Sequence, residues 1–364
     1  MDSGIVSLYN EKHVIDNDFH NQRAGGIPLF RRALLLCCIT ILMFAVLSAC
    51  GSKTAETPTT PQNESKVEQG KEQADQADTG AEAVKKYTDI KGEKEIPTHP
   101  QRVVTDQYLM QMLSLGSVPI GAVTYQLEDK ISMETGLIGN VQDIGSPVNL
   151  EAVVALNPDL IITANEDLYE QYSKIATTVL LPWTAFNAFE QVEQVGILLG
   201  KEKEAEEWLE KFRAKEAEYK QAAAALMSPD ETVSIFAIMG KNDLRVYGQR
   251  NIGYVFYRSL GIKAPAEVQK LYEGKEDEFV YADASQEMLP EFAGDNILLM
   301  VRNGDEDSQT LYKDLLESGL WKNIPVVKNK KVYMLDEDYW FIYNSLALNY
   351  QLEKSVDIVK ELKK

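Results

Sequence analysis

Arg302 directly follows the apolar run at 296–301, and Tyr108, Tyr125, Asn165 and Trp183 stand just beyond other apolar runs of strand length. Tyr339, Trp340 and Tyr343 follow the last such run. Arg245 and Tyr247 lie on a short run of their own, and Arg250 comes next in a glycine-bounded turn. Guanidinium groups grip oxygen anions and aromatic walls hold apolar surface, so this mixture suits capture of a guest rather than making or breaking bonds. Reactive chemistry lacks its parts: there is no GxSxG elbow, no GxxxxGKS/T phosphate loop and no HExxH metal helix. The stretch GQRNIG at 248–253 precedes a helical pattern but lacks the Lys and hydroxyl that would touch phosphate and magnesium. It reads as a turn opening a helix, with Arg250 as a candidate contact. Of three histidines, His13 and His20 fall in the leader and His99 sits in a turn before Pro100. No imidazole or thiolate metal site and no cofactor are expected, and a metal carried by this chain must arrive inside a chelator.

Such side chains need a scaffold, and the pattern supplies one. Apolar runs at 102–105, 119–123, 159–163 and 177–181 alternate with segments of helical period, and the alternation resumes at 233–239, 244–247, 296–301 and 331–335. Strands alternating with helices predict an α/β fold with parallel sheets and crossover helices. Ligands of open α/β sheets bind beyond the carboxyl ends of the strands, where the residues named above fall. Between the two blocks, proline and strand signals vanish from 186 to 227, and apolar residues recur at helical spacing. A helix over 201–227 would run about 40 Å, long enough to link two lobes. Lys215 and Glu216 interrupt its apolar seam, as suits a helix crossing between lobes. A final helix is predicted over about 343–364.

A weak internal repeat points to related lobes. Asn149-Leu150-Glu151 opens one helix and Ser285-Gln286-Glu287 another; eight residues after each glutamate, Asp159 and Asp295 lead into a strand. Leu115-Gly116 is echoed by Leu260-Gly261. The predicted division is a signal over 1–49, a tether over 50–84, an amino-terminal α/β lobe over 85–185, a bridging helical segment over 186–228 and a carboxyl-terminal α/β lobe over 229–364.

The leader has Arg23, Arg31 and Arg32, then an apolar run at 33–47 broken only by Thr40, then Ser48, Ala49 and Cys50. That order is an export signal, and the run falls short of the roughly 20 residues of a membrane-spanning helix. Cys37 and Cys38 leave with the signal, so no internal disulfide is expected and the fold rests on burial. From 51 to 83 there is no aromatic, Leu or Ile residue, so this stretch cannot offset its ordering entropy and is a flexible tether. Net charge is −19, which excludes nucleic acid as a natural partner and requires a local basic pocket for any anionic guest.

The LSAC run at 47–50 resembles the lipobox of bacterial lipoproteins. Together with NLEAVVALNPDLIIT at 149–163, the long central helix and SQEMLPEF at 285–292, it resembles the iron-siderophore substrate-binding lipoproteins of ABC importers. The segments LRVYGQRNIGYVFYRSLG at 244–261 and DYWFIYN at 338–344 are most similar to hydroxamate-siderophore binders. The resemblance implies two Rossmann-like lobes joined by one rigid helix, the class III periplasmic-binding-protein type, with small closure on binding. It implies a monomer, lipid-anchored through Cys50 on the outer face of the cell membrane, that carries iron only as a siderophore chelate and does no catalysis. It also implies that Glu151 and Glu287 dock onto an ABC permease dimer. Related hydroxamate binders carry an arginine near the position of Asn251, a role that Arg250 or Arg245 would take here. The other cargoes of this group are haem, cobalamin and ferric citrate; an exported α/β enzyme or an adhesin would be readings of another class.

Overall fold

Two five-stranded sheets carry the molecule, and their strands are the apolar runs of the sequence. The computed structural model describes residues 83–276 and 279–363; the predicted signal, Cys50 and nearly all of the tether lie outside them. The first lobe holds β3 (Val103–Thr105), β4 (Gly121–Ala122), β5 (Gln142–Asp143), β6 (Leu160–Thr163) and β7 (Thr178–Leu180). They form a wholly parallel sheet in the order β5-β4-β3-β6-β7. A hairpin of β1 (Val84–Asp89) and β2 (Gly92–Pro97) precedes it, starting at the boundary assigned to the tether. The side chain of Lys94 donates to the Thr178 carbonyl at 3.0 Å, and the Asp89 carboxylate accepts from the Leu180 amide at 2.8 Å. Asp89 and Lys94 also pair with each other at 2.6 Å.

The second lobe holds β8 (Val233–Gly240), β9 (Asp243–Tyr247), β10 (Tyr281–Ala284), β11 (Asn296–Val301) and β12 (Val332–Leu335), in the order β10-β9-β8-β11-β12. Here the expectation of parallel strands is only half met. β8, β11 and β12 are parallel, but β9 is antiparallel to both β8 and β10. Only residues 241–242 separate β8 from β9, which is too short for a crossover helix and enforces a hairpin.

The duplication read from the sequence is built into the strand starts. Asp159 accepts from the Arg102 amide at 3.0 Å, just before β3, and Asp295 accepts from the Thr232 amide at 2.8 Å, just before β8. In each lobe the aspartate ahead of one strand thus ties down the start of its neighbour. Gly116 and Gly261 share a left-handed backbone, with φ of 64° and 71°. After Gly261, however, the chain makes only a single parallel bridge, Lys263 to Thr232, where the first lobe builds β4. The reversed β9 fills that side of β8.

Few helices matter to the site. α1 (Leu109–Ser114) and α2 (Lys130–Glu134) belong to the first lobe. The predicted bridge is two helices, α3 (Ala188–Leu199) and α4 (Glu202–Ala224). A capping box at Asn187 and Glu190 starts α3 and the left-handed Gly200 ends it. Ala205 on α4 joins the first core, Phe212 and Ala223 join the second, and Trp208 packs against both. The polar break in the seam has a physical cause: Lys215 reaches Asn349 at 2.7 Å and Glu353 at 2.6 Å, and Glu216 accepts from the Ser259 hydroxyl at 2.5 Å. Asn349 and Glu353 lie on the last helix, α5 (Ser345–Leu362). Its start also meets the first lobe, with the Ser114 and Ser345 hydroxyls 2.7 Å apart.

A methyl group on Gly200 would lie 2.4 Å from the Thr98 carbonyl, whereas one on Gly116 would meet nothing within 4 Å. Gly116→Ala should therefore cost only the left-handed backbone penalty of about 1–2 kcal/mol. Gly200→Ala should cost distinctly more in urea unfolding, and equal losses would contradict the close approach.

Candidate ligand-binding site

In the first lobe the strand ends are gathered around one carboxyl group. Asp106, just past β3, is buried and accepts from the Thr163 hydroxyl at 2.5 Å and the Ala164 amide at 3.0 Å. Burial pushes its pKa up, opposed by those hydrogen bonds. Tyr125, beyond β4, has its hydroxyl 2.9 Å from the Asp106 carbonyl and 2.7 Å from the Gln107 side-chain oxygen, which share its one hydrogen. Its phenol is also held well above the ordinary range, chiefly by burial. Trp183 sits half-buried in a short turn after β7.

Of the four arginines in the second lobe, the three expected at the site are in different states, and the fourth, Arg258, lies 5.9 Å from the centre of the Tyr254 ring. Arg302 stands at the carboxyl end of β11, as predicted, but is only 5 % exposed. It donates weakly to the Met239 carbonyl at 3.5 Å and lies 3.8 Å from a Glu337 oxygen. Arg245 is 6 % exposed, grips both Asp243 oxygens at 2.6 and 2.7 Å, and lies 4.1 Å from the centre of the Tyr281 ring. Arg250 is half-buried, with its guanidinium 5.7 Å from the centre of the Tyr343 ring.

The aromatic residues around Arg250 adjoin the bridge, and the segment after β12 touches the first lobe at α2. Tyr343 packs on Tyr254 at 5.8 Å, Tyr254 on Phe189 at 5.5 Å, and Phe189 on Phe212 at 5.2 Å. Nearby, Tyr339 stacks on Tyr350 at 4.8 Å and donates its hydroxyl to Glu134 of α2 at 2.5 Å. That bond raises the Tyr339 pKa to about 12. One turn earlier on α2, Lys130 pairs with Asp338. Segments that follow the carboxyl ends of β4 and β12 therefore touch across the lobes. This junction brings Arg250 and Tyr343 together and places Tyr339 across from α2.

Three predicted contacts lie elsewhere. Tyr108 is fully buried in the first core and donates its hydroxyl to the Leu181 carbonyl. Trp340 is buried and stacked on Phe256 at 5.0 Å. Tyr247 is buried at the far end of β9, because reversal of that strand puts Asp243, not Tyr247, at the carboxyl edge of the sheet. Sequence reasoning missed Asp106, Glu134, Phe189 and Tyr254. The position of Asp106 directly after a strand was a usable signal; the Glu134 to Tyr339 contact spans 205 positions and left none. Glu151 and Glu287 are both exposed and follow the edge strands β5 and β10 of their sheets. A Ser285 hydrogen bond holds the Glu287 carboxyl below its usual range.

Among the described residues, no three His, Cys, Asp or Glu side chains converge as a metal site. A depression of about 570 Å³ lies at the amino ends of the first sheet, lined by His99, Gln101, Ser117 and Lys201 among others. It contains none of the predicted contacts.

Residues 125–339, more than half of the chain, match the family described as periplasmic binding protein. The chain belongs to the periplasmic binding protein family. This binding protein is 29 % identical over 336 residues to the iron(3+)-hydroxamate-binding protein YxeB of Bacillus subtilis, covering 91 % of this chain and 97 % of that one. To the iron(3+)-hydroxamate-binding protein FhuD of the same organism it is 31 % identical, covering 86 % and 93 %. Among solved structures it is similar to a FhuD fold-family component of a Fep/Fec-like ferrichrome ABC transporter from Bacillus subtilis, with TM-score 0.67 and 31 % identity over 76 % of this chain and all of that one. It is also similar to Staphylococcus aureus SirA complexed with staphyloferrin B, with TM-score 0.63 and 29 % identity over 76 % and 98 %. The two-lobed α/β architecture expected from the sequence is thus that of solved binding proteins.

In this binding protein the Arg302 and Glu337 side chains are both largely buried. Arg302→Met removes a cation from beside the Glu337 carboxylate, which still accepts from the Asn303 amide at 2.5 Å, and should cost about 2 kcal/mol in urea unfolding, with adding Glu337→Leu recovering part of it. A loss that the second change does not relieve would show that the pair is not what makes Arg302 matter.

Proposed function

We propose that this protein captures an iron(III)-hydroxamate chelate outside the cytoplasm and delivers it to an ABC permease dimer, performing no bond chemistry itself. The observation that carries the reading is the lobe junction, where Arg250 stands over Tyr343 and the aromatic row continues through Tyr254 to Phe189. A chelate of this kind shows apolar spacers outside and oxygen charge around its metal; aromatic rings meet the first and guanidinium the second. The net charge of −19 makes such a local arrangement necessary. The names of the hydroxamate-binding relatives support the same cargo. Within the site, Arg250, Tyr343, Tyr339, Tyr125 and Trp183 are the proposed contacts, with Arg245 and Arg302 supplying positive charge behind them.

The test is quenching of tryptophan fluorescence by a panel of guests: ferrioxamine B, its iron-free form, ferric citrate, haem and cobalamin. Ferrioxamine B should quench saturably, with the iron-free form at least about tenfold weaker, a difference of about 1.4 kcal/mol. Saturable binding of haem, cobalamin or ferric citrate alone would move the cargo to that guest.

The protein is further read as a monomeric lipoprotein held at the outer membrane surface through Cys50. Glu151 and Glu287, exposed and matched in position, are the proposed docking points for permease arginines. Glu151→Lys or Glu287→Lys should abolish uptake of labelled chelate by cells while leaving chelate affinity intact. A fall in affinity with either change would remove the docking role.

A further inference from the structure

The turn that follows the last strand of each lobe is fastened by one buried amide. After β7, Gln191 donates its side-chain amide to the Trp183 carbonyl at 3.0 Å and the Phe186 carbonyl at 3.1 Å. After β12, Gln351 donates to the Tyr339 carbonyl at 2.8 Å and the Ile342 carbonyl at 2.9 Å. In both lobes the two acceptors are three residues apart, the first belongs to an aromatic residue, and an asparagine soon after caps the helix that carries the glutamine. Gln191 and Gln351 are 2 % and 0 % exposed. The first clamp is extended inward, since the Gln191 oxygen accepts from the Gln111 amide at 2.7 Å.

Burying a glutamine is unfavourable unless its amide is bonded, and Met or Leu would fill either space without that cost. The turns gain a fixed backbone in return. Each amide binds two carbonyls of one short turn, which sets the turn's shape and the direction in which its aromatic residue leaves the backbone. Trp183 and Tyr339 are those residues, and both are half-buried rather than packed away in a core.

We propose that Gln191 and Gln351 are positioning residues for chelate capture, holding the Trp183 and Tyr339 walls in their binding orientation before the guest arrives. The inference rests on the reading that the guest is a ferric hydroxamate bound at the lobe junction. A wall that is already ordered loses little freedom on binding, so its contacts count in full towards affinity.

The test uses the full chain and ferrioxamine B. Gln191→Met and Gln351→Met should each weaken binding about tenfold, at temperatures where circular dichroism shows the fold intact. In a Trp183→Ala background the effect of Gln191→Met should largely vanish, because the clamp acts through that ring. Unchanged affinity, or an undiminished loss in the Trp183→Ala background, overturns the proposal. A second measurement needs no guest. With fluorinated tryptophan, the Trp183 resonance should shift or broaden in Gln191→Met while that of Trp321, in the far core, stays put. An unmoved Trp183 resonance also overturns the proposal. Gln111→Met, which removes only the inner bond, should give a smaller change in the same direction and serves if Gln191→Met does not fold. If the unaltered protein ignores ferrioxamine B, the cargo reading fails, and the resonance experiment still decides whether the amide orders the turn.

Discussion

Trp208 belongs to two cores at once, and that sharing governs the rest of the molecule. It lies on α4, stacks on Phe212 at 5.3 Å, and packs against the apolar clusters of both lobes. A helix of 23 residues extends about 35 Å and does not bend cheaply at mid-length. Side chains from both cores grip it, and Lys215 and Glu216 bind it to the second lobe by hydrogen bonds. Rotation of one lobe against the other would break apolar packing on both sides of Trp208. Such rotation is therefore opposed by the packing of both lobes on one helix.

Charge is handled in keeping with that rigidity. An arginine buried alone would be strongly destabilising, so Arg245 is held by Asp243 and Arg302 has Glu337 beside it. Asp243 fixes the Arg245 guanidinium plane through two hydrogen bonds, and each carboxylate weakens the field of the arginine beside it. At the junction the Arg250 guanidinium lies 5.7 Å from the centre of the Tyr343 ring, where the aromatic face adds to its hold.

Legibility from the sequence followed burial. The run at 296–301 is buried at every position and was read with its limits intact, because a central parallel strand is apolar throughout. β4 lies inside the run read at 119–123, whereas the two exposed residues of β5 leave almost no pattern. The hairpin of β1 and β2 is hard to read because charged and polar residues outnumber its few apolar ones, Val84, Tyr87 and Ile96. The direction of β9 could not be read from apolar content, which is the same for either direction; the two-residue link before it was the usable signal. The same limit explains the site. Tyr108 and Tyr125 both stand past a strand, but one hydroxyl turns inward to Leu181 and the other to the loop at Asp106. Residue type and spacing gave the strand ends, and side-chain direction decided which of them meet.

The hairpin at the start of the described chain has one more consequence. β7 is the outermost strand of its sheet, and its outward Thr178 carbonyl and Leu180 amide are the groups that a neighbouring strand would bond. Lys94 supplies the donor and Asp89 the acceptor, and the two are bonded to each other. A pair of side chains thus imitates a sixth strand and ends the sheet there. Exposed edges invite foreign strands and sheet-to-sheet aggregation; on this edge the invitation has been withdrawn by a single ion pair.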